Sequence, residues 1–129
     1  MKRIFLSFSS DNLDQVRGFR LLAKNPNYDL DLYDESIKVA INSTNADYIK
    51  KVIGDKISRA SVTLCLIGKT THQSSWVDWE LERSHKEGNQ IIAMALKGID
   101  TAVLPQKIKE LGLTFYPWDP SSLSNKIKG

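Results

Sequence analysis

Two short segments, SVTLCLIG (61–68) and QIIAMAL (90–96), are apolar at nearly every position rather than at every second one. A strand with one wet face alternates, whereas a strand covered on both faces is apolar throughout. Between and around these runs the spacing turns helical. Residues 46–60 place Ile49, Val52, Ile53 and Ile57 on one stripe, and 13–23 place Leu13, Val16, Phe19 and Ala23 near helical spacing around Gly18. RIFLSF (3–8), YDLDLY (28–33) and LTFYPW (113–118) complete five predicted strands, the second of them alternating and so at or near a sheet edge. Further helices are predicted after Ser74–Ser75, over 105–112 between a proline and a glycine, and over 119–128 with Asp119 as cap and Pro120 at the first position. Strands alternating with helices imply right-handed crossovers and one parallel sheet covered on both faces. The expected fold is α/β: a single three-layer flavodoxin-like domain, residues 1–129, with a five-stranded parallel sheet in the order 2-1-3-4-5.

In such a sheet ligands gather at the carboxyl ends of the strands, near the reversal in strand order. That directs attention to Phe8–Asp11, Asp34–Ser36 and Gly68–Trp76. The polar stretch 35–45 reads as a loop bordering this end. Composition narrows the chemistry. A net charge of +3, with basic residues spread and mixed with acids, fits solvated helix faces and no nucleic-acid partner. No run of about 18 apolar residues exists to span a membrane, and the start of the chain is apolar too briefly for a signal peptide. Cys65 is the lone cysteine, inside an apolar run, which fits a buried hydrophobe in a reducing, cytoplasmic setting.

Several motifs fail on inspection. GKTT (68–71) follows a strand, but a phosphate loop also needs a glycine where Thr63 stands, so it reads as a turn. A receiver domain would need an aspartate after the third strand, where Gly68-Lys69-Thr70 stand instead. His72 and His85 are thirteen apart with no second cysteine, so no metal site is expected and both read as surface histidines. A deaminase's Pro-Cys-x-x-Cys and a serine hydrolase's Gly-x-Ser-x-Gly are absent.

SSWVDWELERS (74–84) is less easily dismissed. Ser75 fits as the helix cap, with Asp78 three residues on closing a capping box. Glu80 is then not needed for capping. It shares a face with Trp76 and Val77, and Trp76 or Trp79 is expected to be largely buried. Two readings stay open: a carboxylate bordering a ligand pocket, or a structural glutamate, solvated or paired with Arg83.

These residues carry a resemblance. RIFLSFSSDN resembles the first-strand box of TIR (Toll/interleukin-1 receptor) domains, LYDES the end of their second strand, and SSWVDWEL their Ser-x-Trp signature with a glutamate four residues after the tryptophan. VTLCLIGKTTHQSSWVDWEL is similar to the TIR-like ThsB proteins of the Thoeris anti-phage system. The resemblance runs from about Lys2 to Trp118. Val77 departs from it where a cysteine is usual, and 35–45 lacks the familiar Gly and Pro pattern.

The resemblance implies a domain that cleaves NAD at the nicotinamide–ribose bond and makes cyclic ADP-ribose signals for a separate effector protein. NAD would be the substrate, with no further cofactor and no metal. The family's catalytic glutamate falls on Glu80, its pocket positions on Phe8, Ser9 and Asp34, and its signature tryptophan on Trp76. Self-association of TIR domains is implied as well. With the order 2-1-3-4-5, Phe8, Ser9, Asp34 and Glu80 are expected to line one cleft. Two alternatives remain: a non-catalytic TIR-like interaction module, and a nucleoside deoxyribosyltransferase-like enzyme.

Overall fold

A computed structural model describes residues 3–24, 31–32, 46–99 and 103–127. Among these, β1 (Arg3–Ser7) is followed by α1 (Leu13–Ala23), β2 (Asp31–Leu32), α2 (Ala46–Arg59) and β3 (Val62–Ile67). Then come α3 (Ser75–Lys86), β4 (Gln90–Ala95), α4 (Gln106–Glu110), β5 (Phe115–Tyr116) and α5 (Leu123–Lys126). The strands form one parallel sheet in the order β2-β1-β3-β4-β5. Among the described residues β2 and β5 contribute two each at the edges, and most of the sheet is β1, β3 and β4. Ser7 of β1 stands beside Cys65 of β3, which stands beside Ala93 of β4.

Alternation along the strands sorts the side chains onto two faces. Ile4, Leu6 and Phe8 join Val62, Leu64 and Leu66, then Ile92, Met94 and Leu96, in a core closed by Val16 and Phe19 of α1 and Leu123 of α5. The intervening residues face the other way. Cys65, Ile67 and Ala93 pack against Val77 and Leu81 of α3 and Ile108 of α4, and Phe5 packs against Ile53 and Ile57 of α2. All six residues of β3 are buried, which explains why it is apolar at every position but Thr63.

Several local expectations are corrected. Ser74, not Ser75, caps α3: its Oγ accepts from the Val77 N–H at 3.2 Å. The third helical position is therefore Val77, and no capping box forms. Asp78 turns instead towards the start of α4, where the Lys107 N–H reaches its carboxylate at 3.5 Å. Asp119 and Pro120 do take the cap and first positions, but of a short 3-10 turn (Pro120–Ser122) ahead of α5, and the Asp119 carboxylate accepts from the Ser121 hydroxyl. Trp76 and Trp79 are each half-buried, meeting edge to face at 6.1 Å on the Phe5 cluster. Neither is a fully buried core residue. His85 is exposed but His72 is half-buried. Gly112 ends α4 with φ of 64°, the left-handed conformation that favours glycine.

Candidate active site

α3 buries Val77, Glu80, Leu81 and Ser84, an i, i+3, i+4, i+7 stripe turned towards the sheet. Glu80 therefore belongs to the inward face of its helix. It is 0% exposed, and its Oε1 accepts a hydrogen bond from the Ser7 hydroxyl at 2.8 Å. Neither sequence reading described this. The glutamate is not solvated, and Arg83 pairs with Glu87 at 2.9 Å instead. A carboxylate taken out of water is costly unless charge-assisted hydrogen bonds replace its hydration, and Ser7 provides one.

A second contact acts on the same residue's backbone. Ser84 Oγ donates to the Glu80 carbonyl at 2.8 Å, and Thr63 Oγ1 lies 2.6 Å from Ser84 Oγ. Both side chains are fully buried. Glu80 is thus held at its carboxylate by β1 and at its carbonyl by a hydroxyl that leans on β3.

The remaining site residues are placed as follows. Ser9, 6% exposed, lies just past β1, and its Oγ accepts from the Asp11 N–H at 3.3 Å to start a 3-10 turn. Phe8 is a correction. Its ring is fully buried in the cluster with Val16, Phe19 and Leu123, on the face of the sheet opposite to Ser7 and Glu80. It is a core residue and not a wall of a shared cleft, because strand alternation sends neighbours to opposite sides. Trp76 packs with Trp79 beside Phe5, a packing role. Asp34 and the loop 35–45 lie outside the described residues. The structure therefore joins Glu80 to the end of β1 but does not bring Phe8 to it. Ser7 is the residue sequence reasoning missed. The signal was present in Ser-Phe-Ser: period two puts Ser7 and Ser9 on one face and Phe8 on the other.

The GKTT turn after β3 is tied to the loop after β1. The Gly68 N–H donates to Thr71 Oγ1 at 2.8 Å, Thr70 Oγ1 donates to Asp11 at 2.9 Å, and Thr71 Oγ1 reaches Asn12 Oδ1 at 3.4 Å. These bonds clasp the loop after β1 to the loop after β3 and engage a donor that a phosphate cradle would need. Among the described residues, no group of three His, Cys, Asp or Glu could hold a metal ion. No described helix is long and apolar enough to cross a membrane. Hydrogen bonding to Lys107 at 3.0 Å holds the Glu110 carboxyl below its ordinary range, and the same bond raises Lys107.

Comparison with known proteins adds to this geometry. Residues 5–101 match the family model described as "Thoeris protein ThsB, TIR-like domain". Over 98 residues the chain is 29% identical to ThsB1, a candidate cyclic ADP-D-ribose synthase of Bacillus cereus (strain MSX-D12). That match covers 72% of the chain and 50% of ThsB1, so the chain spans about half the length of this relative. In fold it is similar to the TIR domain of the Toll-related receptor TRR-2 from Hydra magnipapillata, with a TM-score of 0.63 at 14% identity, covering 96% of this chain and 90% of that one. It is also similar to the CMP N-glycosidase BcmB of Clostridium botulinum, with a TM-score of 0.59 at 17% identity, covering 97% and 96%. The TIR domains of the activated Roq1 resistosome align with a TM-score of 0.51 at 16% identity, over 74% of this chain and 57% of that one.

Proposed function

The chain belongs to the family of Thoeris ThsB TIR-like domains, and from that premise we propose that it cleaves NAD between nicotinamide and ribose, with Glu80 as the catalytic residue. The observation that carries this reading is the Ser7–Glu80 bond, which holds a buried carboxylate against the carboxyl-terminal end of β1. That is the end of a parallel α/β sheet where ligands collect.

The chemistry asks little more of the protein. The bond from the ribose anomeric carbon to the pyridinium nitrogen breaks, and its electron pair goes to nicotinamide, which leaves neutral. No strong acid is needed. The ribose becomes oxocarbenium-like, and a nearby carboxylate stabilises that positive charge. Water then attacks and loses a proton, giving ADP-ribose, or an adenine nitrogen attacks and the base loses a proton, giving a cyclic isomer. Exclusion of water favours the second course. NAD is the substrate in this scheme and no resident cofactor is called for. The nucleotide product would act on a separate effector protein as an antiviral signal, and copies of the domain would associate during activation. Because Glu80 is wholly buried, the site must open before ribose can meet it, so the resting protein is expected to be slow.

The same burial favours a second reading, a non-catalytic interaction module in which Ser7 and Glu80 merely fasten α3 to the sheet. Purified protein incubated with NAD, with and without extract from phage-infected cells, separates the two when products are resolved by mass spectrometry. Release of nicotinamide with ADP-ribose or its cyclic isomers, abolished in Glu80→Gln, supports the enzyme. No consumption of NAD in either arm supports the module.

A further inference from the structure

We propose that Ser7 is a positioning residue for the NAD reaction, orienting the Glu80 carboxylate for the ribose. This rests on the catalytic reading of Glu80 and deepens it. A serine hydroxyl has one proton to donate, and Ser7 directs it to Glu80 Oε1 at 2.8 Å with both side chains 0% exposed. The bond joins residues 73 positions apart, so it is a tertiary contact and not a helix's local habit.

Geometry gives it a specific job. A glutamate has three rotatable side-chain bonds, and the backbone of α3 fixes none of them. The Ser84 bond to the Glu80 carbonyl holds the backbone at that position and does not act on the carboxylate. Ser7 fixes the far end. Its own place is secured because β1 pairs on both sides, with Arg3 and Ile4 against β2 and Ile4 to Ser7 against β3. The donor therefore sits on the stiff part of the molecule. Orientation of a reacting group against its substrate carries a large share of many rate enhancements. Fastening it from a strand is more accurate than from a loop.

Ser7 does not touch the bonds that change, so its loss should act on the chemical step and not on NAD binding. In protein activated for turnover, Ser7→Ala is expected to lower kcat about tenfold or more, with KM within about twofold of wild type. Ser7→Cys, with a weaker donor of similar shape, should recover part of that loss. In a Glu80→Gln background, Ser7→Ala should remove nothing further, because the residue acts only through the glutamate. A crystal structure of Ser7→Ala should show the Glu80 carboxylate moved from its wild-type position. This readout needs no activity. If wild type never consumes NAD yet the carboxylate moves in Ser7→Ala, the catalytic reading fails and the positioning contact stands. If wild type is active while Ser7→Ala keeps both kcat and the carboxylate position, the positioning proposal is overturned. Should Ser7→Ala not fold, Ser7→Cys decides: a wild-type kcat overturns the proposal, and an intermediate one with unchanged KM supports it.

Discussion

Thr63 and Ser84 meet hydroxyl to hydroxyl at 2.6 Å inside the protein, and the direction of their bond is fixed by a third atom. Ser84 has one proton, and it goes to the Glu80 carbonyl. Thr63 must therefore donate to Ser84, so donation runs from strand to helix and then to the backbone of Glu80.

That direction makes two substitutions unequal. Thr63→Val keeps shape and removes a donor that Ser84 can do without, so it should cost about 1 kcal/mol. Ser84→Ala leaves the Thr63 hydroxyl buried without that partner and should cost about 1–3 kcal/mol. Adding Thr63→Val to Ser84→Ala should recover part of the loss. Denaturant unfolding of the three variants measures this, and equal costs with no recovery would reverse the assigned direction.

Glu80→Gln retains an oxygen that can accept from Ser7 while removing the charge. Its fold should persist, with a melting temperature near wild type, because the shape and the acceptor for Ser7 are kept. Turnover of NAD should fall about a hundredfold or more. Wild-type turnover by a folded mutant would remove Glu80 from the chemistry.

At Gly68 a Cβ would lie 2.5 to 2.8 Å from side-chain atoms of Asn12. Gly68→Ala should push Asn12 aside, loosen the clasp between the two loops and cost about 1–3 kcal/mol. Asn12→Ala in the same chain should relieve most of the added crowding. A cost below about 0.5 kcal/mol for Gly68→Ala alone would mean that the loops yield without strain.

Trp76→Ala and Trp79→Ala should each cost about 1–3 kcal/mol, less than the 3–5 usual for a fully buried aromatic. Both rings keep one side in partial contact with solvent. Thermal melts would expose an error here if either loss reached the full core value.

Lys107 bonds Glu110 at 3.0 Å and lies 3.8 Å from Glu82, tying α4 to α3 at the surface. The Glu110 carboxyl is lowered by that lysine, first through the hydrogen bond and then through charge. Its contribution to stability is present above the unfolded carboxylate pKa and is lost as pH falls through the lowered, folded one. Lys107→Met should flatten that acid limb of a stability–pH curve while leaving neutral-pH activity intact. An unchanged limb would show the pair to be fully screened by solvent.

The strands were legible where burial on both faces leaves a nearly continuous apolar run, as in Val62–Ile67, where Thr63 alone is polar. The helices were legible where a stripe repeats, as at Ile53 and Ile57. Glu80 could be singled out because its neighbours already met the needs of the helix start, although the cap itself fell one residue earlier. Its burial was not legible, since the residue that makes burial tolerable, Ser7, lies 73 positions away. Phe8 was misplaced for a related reason. An aromatic at a strand end can serve a pocket or a core, and only the packing of α1 and α5 decides which.

β5 pairs with β4 through only Phe115 and Tyr116. A sheet grows by offering an incoming strand a row of unsatisfied amides and carbonyls, and a border two residues long offers very few. Copies of this chain meeting along β5 would gain little from backbone pairing. Any filament or pair they form on that side has to be specified by side chains on helices and loops, where sequence can tune partner choice one residue at a time.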